Sequence, residues 1–578
     1  MVSKPKTDAL SIWSEFQTQG INYQERMGFT TTWPEFTSFV EGKQWPAPTE
    51  KTKYMPRPVI NQCDFIVENK KSNILSQTLK MLYSPEESPE DVDNEVAIQA
   101  AENFTDASTT TWHDLDQDTL NEDCVDDVLV LGTGIYHYYF DNALKGGEYT
   151  PYVGKICGEI IDPMDIVLGN PHLASTQTQK QPWIIIRTYP STADVIAEAT
   201  KNGKDAELIK PDGSDGTDAR YDSQRINITR PNTTTLLTKY YKENGQVMWM
   251  KSTEHAEVSD PKPLSPEGGK PFTLYPVETL TFKKRRKCAF GRSIIEDIIP
   301  NQKSLNWGLG MMLLSIQQTA WPKIIAKLGA LEQSITNEPG EIITDHGTAQ
   351  GVDGIKYMQP PNFSNTPMII TEKIMDMTRQ VTGTSEINSG EVLGANMAAS
   401  AIIALQNQAK KPNEGYQNKL FRSMKNIGRI WEEFYKTYYN TPRPITSTND
   451  EGKDVTKTFT GVDHADKNFK LNIDVGPASV FSESLQVSIL DKLHDNKELD
   501  KYQYIKYMPS NVVPSELKHD FEKEKQKIDE QAAQQAQITE QASSIHSQLT
   551  PEEQQHLAEN PHLLDQAIAN VQGGGMNA

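Results

Sequence analysis

The net charge of −21 over 578 residues argues against a protein whose main role is tight nucleic-acid binding, because that affinity comes largely from Lys and Arg side chains that neutralise phosphates. The longest apolar runs, such as 311–314 and 402–405, are far shorter than the ~20 residues of a membrane-spanning helix, and the N-terminus has no apolar signal core. The four widely separated cysteines form no CxxC pair, which predicts reduced thiols in a reducing cytoplasm rather than disulfides or a zinc site.

Residues 1–290 alternate between helical and extended patterns, which predicts an α+β domain. The first 55 residues have apolar positions without one period and are expected to form short helices and loops. Helices are then expected at 59–82, 95–131 and 191–200, and strands at 135–140, 152–160, 183–188, 236–241 and 247–251. The polar stretch 201–235 is expected to be a surface excursion with partial disorder.

A helical hairpin is predicted in the middle of the chain. Its first helix covers 301–320, between Pro300 and Trp321-Pro322, and its second covers 367–382 and ends at Gly383. Both helices have apolar side chains three or four residues apart, which is the spacing of an amphipathic helix. These positions are Leu305, Leu309, Met312 and Ile316 in the first helix, and Ile370, Ile374, Met377 and Val381 in the second.

The segments around this hairpin are equally patterned. Residues 323–364 hold three short β-like pieces, at 323–327, 341–344 and 355–358, which predict a small α/β knob at the tip. Residues 383–396 contain too many glycines to stay helical. A long helical pattern then covers 397–440, with a kink expected at Pro412 and Gly415 and an apolar face that includes Leu420, Met424, Ile427, Trp431 and Phe434. A strand at 469–475 and helices at 482–493 and 515–544 complete the prediction.

The order of helix, knob, helix, glycine-rich loop and long helix resembles the core of the portal proteins of tailed double-stranded DNA bacteriophages. The resemblance extends over residues 55–510 and rests on several segments in the right order rather than on one diagnostic motif. Upstream of the hairpin, the segments that carry it are Arg57-Pro58-Val59-Ile60-Asn61, the helix-to-strand passage DDVLVLGTGIYHYYF at 126–140, and Ile161-Asp162-Pro163-Met164-Asp165 before Asn170-Pro171.

The resemblance implies an α+β portal fold whose subunits form a ring, expected to be a dodecamer, around a central channel. Its parts would be an N-terminal α/β wing (1–290), a first stem helix (291–322), a small α/β clip (323–364), a second stem helix (365–382), a tunnel loop (383–396), a long kinked helix (397–440), a wing return (441–510), and a helical crown with a C-terminal tail (511–578). An acidic chain suits such a conduit, because a channel wall with few cations attracts sliding DNA only weakly.

The implied function is that of a ring at one capsid vertex, through which a terminase packages DNA and through which DNA later leaves. The implied partners are other copies of the chain, the major capsid protein and scaffold, the terminase large subunit, a head-completion or tail adaptor, and DNA bound transiently without sequence preference. No cofactor, metal or membrane is expected, and the protein would lie in the virion after assembly in the host cytoplasm.

Three regions are expected to carry these contacts. The tunnel loop would contact phosphates through short polar side chains, while its two glutamates would repel them. The short polar positions are Thr384, Ser385, Asn388, Ser389 and Asn396, and the glutamates are Glu386 and Glu391. The channel stem positions are Asn301, Leu305, Leu309, Met312, Ile316, Ile370, Ile374 and Met377, which would pack against neighbouring subunits while Gly308 and Gly310 allow close approach. The clip positions, at the end that would meet the motor and then the adaptor, are Lys323, Lys327, Glu341 and Lys356. The simpler alternatives are an ordinary loop between helices and stripes that serve an intramolecular core.

A basic run precedes the first stem helix and consists of Lys283, Lys284, Arg285, Arg286 and Lys287. A solvated belt that faces an acidic partner is the favoured interpretation, and a phosphate contact or a nuclear-import signal are the alternatives.

No pattern predicts an enzyme. Gly132-Thr133-Gly134 follows a helix and opens a strand, which is the reverse of a phosphate-binding loop. Asp114, Asp116 and Asp118 begin like a calcium loop, but Thr119 and Val125 replace the glycine and glutamate that such a loop requires. Two alternatives remain open, namely a ring-forming tail adaptor or scaffold that does not conduct DNA, and a metal-dependent nuclease that uses these aspartates with Asp126 and Asp127.

Overall fold

The computed structural model describes residues 8–50, 52–86, 94–142, 154–212, 232–320, 324–326, 355–357, 366–384, 399–448, 454–475 and 501–508, together with short pieces between 487 and 528. The chain divides into one unit of Met1–Ile445 and Thr458–Gly476 and a second of Thr446–Lys457 and Pro477–Ala578. Most of the predicted clip, tunnel loop, crown and C-terminal tail lies outside the described residues. The same holds for most of the predicted helices 482–493 and 515–544, whose described residues, between 487 and 493 and between 517 and 528, are helical.

Helices and strands alternate along the described chain. The helices are α1 (Ala9–Glu15), α2 (Asn22–Arg26), α3 (Phe29–Val40), α4 (Gln62–Ile74), α5 (Asn94–Asp114), α6 (Gln117–Val130), α7 (Thr192–Lys201), α8 (Ile295–Ala320), α9 (Thr366–Thr382), α10 (Ala399–Tyr438) and α11 (Lys501–Tyr507). The strands are β1 (Leu79–Pro85), β2 (Gly134–Asp141), β3 (Lys155–Ile160), β4 (Ile166–Leu168), β5 (Trp183–Thr188), β6 (Leu236–Glu243), β7 (Gln246–Ser252), β8 (Lys262–Pro263), β9 (Val277–Leu280), β10 (Ile324–Ala326), β11 (Ile355–Tyr357), β12 (Arg443–Thr448), β13 (Asp454–Phe459) and β14 (Phe469–Val475).

The strands form one five-stranded sheet, one three-stranded sheet and three two-stranded sheets. The five-stranded sheet has the order β4-β5-β6-β7-β8, and the three-stranded sheet has the order β3-β2-β9. The two-stranded sheets are β1 with β14, β10 with β11 and β12 with β13. In the three-stranded sheet Tyr136 of β2 pairs with Ile160 on one side and Glu278 on the other. This mixture of helices and antiparallel sheet is consistent with the predicted α+β class.

Helix α10 lies at the centre of the largest hydrophobic core. Its predicted apolar face is confirmed, since Leu420, Met424, Ile427, Trp431 and Phe434 are each at most 1% exposed. The Trp431 ring lies 5.7 Å from the ring of Tyr138 in β2 and 6.3 Å from that of Trp112 in α5. Because each fully buried apolar side chain of this size contributes ~1.5–3 kcal/mol, this face of α10 contributes substantially to the stability of the core.

The predicted helix 59–82 is wrong in its last turns, because Leu79–Pro85 forms strand β1. Met81 and Tyr83 are buried while the alternate residues Lys80 and Leu82 are exposed, which is the period of a strand and not of a helix. Strand β14 pairs with β1 antiparallel, with Leu79 opposite Val475. A partner so distant in sequence could not be foreseen from the local pattern.

The predicted helix 95–131 consists of two helices. They are separated at Leu115 and Asp116, and Asp116 has a left-handed backbone with φ of +49°. Its carboxylate accepts a hydrogen bond from Thr119 Oγ1 (2.7 Å). The aspartates that began like a calcium loop therefore mark a junction between α5 and α6.

Other boundaries agree with the prediction or shift modestly. Strands β5 and β14 match the predicted 183–188 and 469–475, and α9 begins one residue before the predicted position. Helix α8 begins at Ile295, so Pro300 lies inside it instead of before it. Helix α10 continues through Pro412. The patterns did not predict β4, β8, β9, β12 or β13.

In the second unit, the described residues include α11. Tyr504 of this helix stacks on His494, with ring centroids 4.5 Å apart, and donates a hydrogen bond to Asp491. This unit begins within the predicted wing return and contains the predicted crown.

Candidate channel and assembly site

The root of α8 is attached to the turn between α6 and β2. A Cβ at Gly291 would lie 2.1 Å from the carbonyl oxygen of Gly132, and Gly132 itself has φ of +95°, so the two backbones meet only because both residues are glycine. Gly291 N donates to Thr133 Oγ1 (2.8 Å), and Ser293 Oγ donates to the Leu129 carbonyl (3.1 Å). The glycine pattern at 132–134 is therefore a structural turn that holds the hairpin to the wing.

Part of the basic run neutralises the acidic first turn of α8. Lys283 forms an ion pair with Asp297 (2.8 Å), and Arg285 forms one with Glu296 (2.9 Å). The other members are exposed, namely Lys284, Arg286 and Lys287. The prediction of a solvated, partner-facing belt therefore applies to these three, whereas the other two cations stabilise the chain's own helix.

The two stem helices meet along a polar seam. Thr371, Thr378 and Thr382 of α9 are buried, and Asn301 of α8 donates to Thr378 Oγ1 (3.0 Å). Each threonine hydroxyl also donates to the carbonyl four residues earlier in its own helix. A Cβ at Gly308 would lie 3.4 Å from Thr371 Oγ1, so this glycine lets the helices approach within one subunit.

The predicted apolar stripe of α9 does not face α8. Ile370, Met377 and Val381 are 53%, 51% and 72% exposed. Ile374 is half-buried. On α9, the alternative of a plain intramolecular core is therefore wrong, and packing of this stripe against a neighbouring subunit stays a prediction.

Helix α8 has exposed apolar side chains on two sides. Trp307 and Met311 lie on one side, 43% and 52% exposed, and Leu313 and Ile316 lie on the other, 40% and 57% exposed. About two and a half turns separate Trp307 from Ile316, so they point in opposite directions. Of the remaining stem positions, Leu305 is buried, and Leu309 and Met312 are half-buried.

The expectation that Gly310 admits a neighbouring helix is wrong. A Cβ at Gly310 would lie 2.8 Å from Met55 Cε, 2.9 Å from the Pro56 carbonyl oxygen and 3.3 Å from Trp45 Cη2. The segment that precedes α4 therefore covers this face of α8. The sequence pattern carried no information about a contact between residues so far apart.

The clip is described at its two ends. Strands β10 and β11 pair antiparallel, with Ile324 opposite Tyr357 and Ile325 opposite Lys356. Two of the three predicted β-like pieces are thus strands, and their pairing brings the two ends of the predicted clip together. Lys323, Lys327 and Glu341 lie outside the described residues, and so does the side chain of Lys356.

The tunnel loop is described only at its start. Gly383 has φ of +70° and ends α9 as predicted. Thr384 is 1% exposed, its backbone N–H donates to the Arg379 carbonyl (3.0 Å), and its hydroxyl lies 2.9 Å from Thr382 Oγ1. This corrects the expectation that Thr384 faces DNA, because its hydrogen bonds close the helix end. The other predicted loop positions lie outside the described residues: Ser385, Glu386, Asn388, Ser389, Glu391 and Asn396.

Two buried ionisable groups that the sequence analysis missed hold α10 against the wing. Lys70, 1% exposed, donates to Asn413 Oδ1 (3.2 Å), and burial lowers its pKa to about 8. Glu278, 6% exposed, accepts from Asn426 Nδ2 (2.8 Å), and burial raises its pKa to about 7. The one sequence feature that indicated burial of Lys70 was its position four residues after Ile66, on the apolar face of α4.

Other chemistry is sparse in the part of the chain that the structure describes. No group of His, Cys, Asp and Glu there could hold a metal ion. All four cysteines are free, and burial raises the pKa of the Cys63 thiol to about 12, which keeps it protonated. Within the same residues, every helix is too short or too polar to cross a bilayer.

A two-helix stem with a small β tip and a long supporting helix rooted in an α+β wing is the architecture expected of a phage portal subunit. The model of the Phage P22-like portal protein family matches residues 35–572. Because this match covers nearly the whole chain, the protein belongs to that family, which forms the channel for DNA packaging and ejection at the phage head. A search of curated proteins finds no match.

Membership of this family has direct consequences. It assigns the chain to an oligomeric ring at a capsid vertex, in contact with packaging and head–tail components. The family is structural and not enzymatic, so membership favours the portal over the nuclease alternative. The match also extends the resemblance beyond 55–510 at both ends.

Proposed function

We propose that twelve copies of this chain form the portal ring, with α8 and α9 lining its channel and packing between subunits. The observation that carries this proposal is the pair of exposed apolar flanks on α8, Trp307 with Met311 and Leu313 with Ile316. In a closed ring each subunit contacts two neighbours, and one surface of a subunit binds a different surface of the next subunit. Each subunit therefore needs two unlike adhesive surfaces.

Helix α9 supplies a surface suited to DNA passage. The side turned away from α8 is exposed and polar, and it consists of Glu372, Lys373, Asp376 and Gln380. One cation against two anions gives this surface no strong attraction for phosphates, which supports sliding rather than binding. The apolar stripe of Ile370 and Met377 lies beside this polar surface and is available to a neighbouring stem.

The remaining parts are assigned by their place relative to the stem. The clip, at the tip of the hairpin, would lie at the narrow outer end and meet the terminase large subunit first and the head-completion or tail adaptor later. The wing and the crown would contact the major capsid protein and scaffold during assembly in the host cytoplasm. The tunnel loop that follows α9 would reach into the channel.

Charge placed on either flank of α8 is expected to abolish ring formation. Met311→Glu and Ile316→Glu each put a carboxylate into an apolar contact between subunits. Both side chains are exposed in the separate subunit, so the free energy of unfolding of the subunit should change by less than ~0.5 kcal/mol. Analytical ultracentrifugation and negative-stain microscopy measure the result. Gln380→Glu, on the polar side of α9, is the matched control and should still form rings.

Mixing the two variants tests the two-flank arrangement itself. Each Met311→Glu subunit keeps an intact Ile316 flank, and each Ile316→Glu subunit keeps an intact Met311 flank. The mixture should therefore form dimers but no rings. Normal rings in either single variant would refute the assignment of α8 to the subunit interface.

Reversal of charge in the tunnel loop is expected to slow DNA packaging. Glu386→Lys with Glu391→Lys would add phosphate attraction inside the channel, while ring assembly and Tm should stay nearly unchanged. The same change at two exposed wing glutamates, Glu207 and Glu267, controls for net charge. Packaging at the normal rate by the loop variant would count against a loop that faces DNA.

A further inference from the structure

An open cleft of about 630 Å³ lies between α3, the segment that follows it and α8. This volume is within the range of sites that receive a ligand or a group of side chains. Its apolar walls are formed by Pro34, Phe39, Trp45, Pro46 and Trp307. Thr, Glu, Ser, Lys, Gln and Asn side chains form the rest of the lining, so the cleft is a mixed apolar and polar surface left open on the subunit.

The walls of the cleft are held by specific contacts. The rings of Trp45 and Trp307 lie 5.4 Å apart at an angle of 55°. Lys303 pairs with Glu35 (2.7 Å) and lies 5.3 Å above the ring of Phe39. Lys43, which also lines the cleft, pairs with Glu41 (2.9 Å). Because each of these cations has a carboxylate beside it, the cleft offers little net attraction to nucleic acid or to an acidic peptide.

A buried hydroxyl in the cleft lacks a partner. Ser38 is 5% exposed and lines the cleft, and its Oγ has no hydrogen bond within the described structure. Buried polar groups in proteins are almost always hydrogen-bonded. The oxygen has almost no accessible surface in the separate subunit, so a polar atom of an occupant reaches it only when the wall of the cleft shifts on binding.

The cleft is continuous with one flank of the stem. Trp307 forms part of its wall and also belongs, with Met311, to an exposed apolar flank of α8. We propose that in the ring the neighbouring subunit fills this cleft with apolar side chains and pairs a polar group with Ser38. This inference rests on the proposed ring and adds a second contact, above the stem, between wing and neighbour.

Cysteine labelling measures whether the cleft closes. Thr31 lines the cleft and is exposed in the subunit. Thr31→Cys should therefore react with a maleimide at least ten times more slowly in rings than in separated subunits. The subunits are kept apart by Ile316→Glu, a change on the opposite flank of α8. Thr200→Cys, exposed on α7, is the matched control and should react equally in both. The protein without either change gives the background from Cys157, which is half-buried.

Filling or altering the cleft gives an independent measurement. Thr31→Trp should reduce the yield of rings at least tenfold and leave the thermal unfolding of the separated subunit unchanged, whereas Thr200→Trp should leave the ring yield unchanged. Ser38→Ala should weaken rings without lowering the Tm of the separated subunit, because its hydroxyl has no partner there.

The outcomes separate this inference from the proposed ring. Rings that form normally with Thr31→Trp, together with equal labelling of the Thr31→Cys variant in rings and in separated subunits, would overturn the inference and leave the ring intact. Two other results would also overturn the inference, because they assign the cleft to another occupant. One is slow labelling of Thr31→Cys already in the separated subunit, and the other is slow labelling of its rings only after scaffold or capsid protein is added. Failure of the unaltered chain to form rings would instead refute the proposed function.

Discussion

Replacing Gly291 with alanine is expected to lower the free energy of unfolding by about 3 kcal/mol or more. The new Cβ would lie 2.1 Å from the Gly132 carbonyl oxygen and 3.0 Å from that of Lys283. Both are backbone atoms that cannot rotate away, so the root of α8 must separate from the turn before β2. The hydrogen bond from Gly291 N to Thr133 would be lost with this separation.

Thermal and urea unfolding of the separated subunit would measure this effect. Gly415→Ala is the control, because no atom lies within 4 Å of a Cβ there and the residue lies in α10. Alanine favours a helix over glycine, so this control should raise stability by ~0.5–1 kcal/mol. Equal stability of the two variants would show that the two backbones are not in contact at the root of the stem.

Replacing Glu278 with glutamine is expected to stabilise the protein by ~2–3 kcal/mol above pH 7. Burial raises the pKa of this carboxyl from 4.5 to about 7, so above pH 7 the folded protein holds a buried negative charge. Glutamine has the same shape and no charge. Its side-chain oxygen can still accept the hydrogen bond from Asn426.

The sign of the pH dependence follows from linkage. Between pH 4.5 and 7 the folded state binds more protons at Glu278 than the unfolded state does, so the stability of the unaltered protein falls as pH rises through this window. The advantage of Glu278→Gln should be near zero at pH 4.5 and constant above pH 7. Urea unfolding at pH 5 and pH 8 measures it, with Glu414→Gln, exposed on α10, as control. An advantage that is the same at both pH values would mean that Glu278 titrates normally.

Local patterns predicted the long helix α10, one face of which is buried within the subunit. The face of α10 from Leu420 to Phe434 repeats every three or four residues and is fully buried, so periodicity alone identified it. Strand β1 was missed because seven residues of mixed character follow a helix, and only the pairing with β14 decides their conformation. The break at Asp116 depends on one positive φ, which no periodic pattern records.

The candidate site was harder to predict than the fold. The stripe of α9 was found from its spacing, but spacing cannot tell whether the covering surface belongs to the same chain or to another copy. Threonines at 371, 378 and 382 form the contact with α8 because their hydroxyls are satisfied within their own helix, and polar residues were not expected there. Lys70 and Glu278 were missed because charged residues are rarely buried.

On the ribosome, β1 emerges long before the strand that pairs with it. Leu79 pairs with Val475, and translation at ~5–20 residues per second separates their synthesis by roughly 20–80 s. Until then the edge of β1 is open to pairing with other nascent chains. Because Tyr83 of β1 also donates to the Gly428 carbonyl of α10 (2.7 Å), the wing closes only after the stem and the long helix have been translated. An incompletely synthesised subunit therefore lacks both the partner strand of β1 and the contact of Tyr83 with α10.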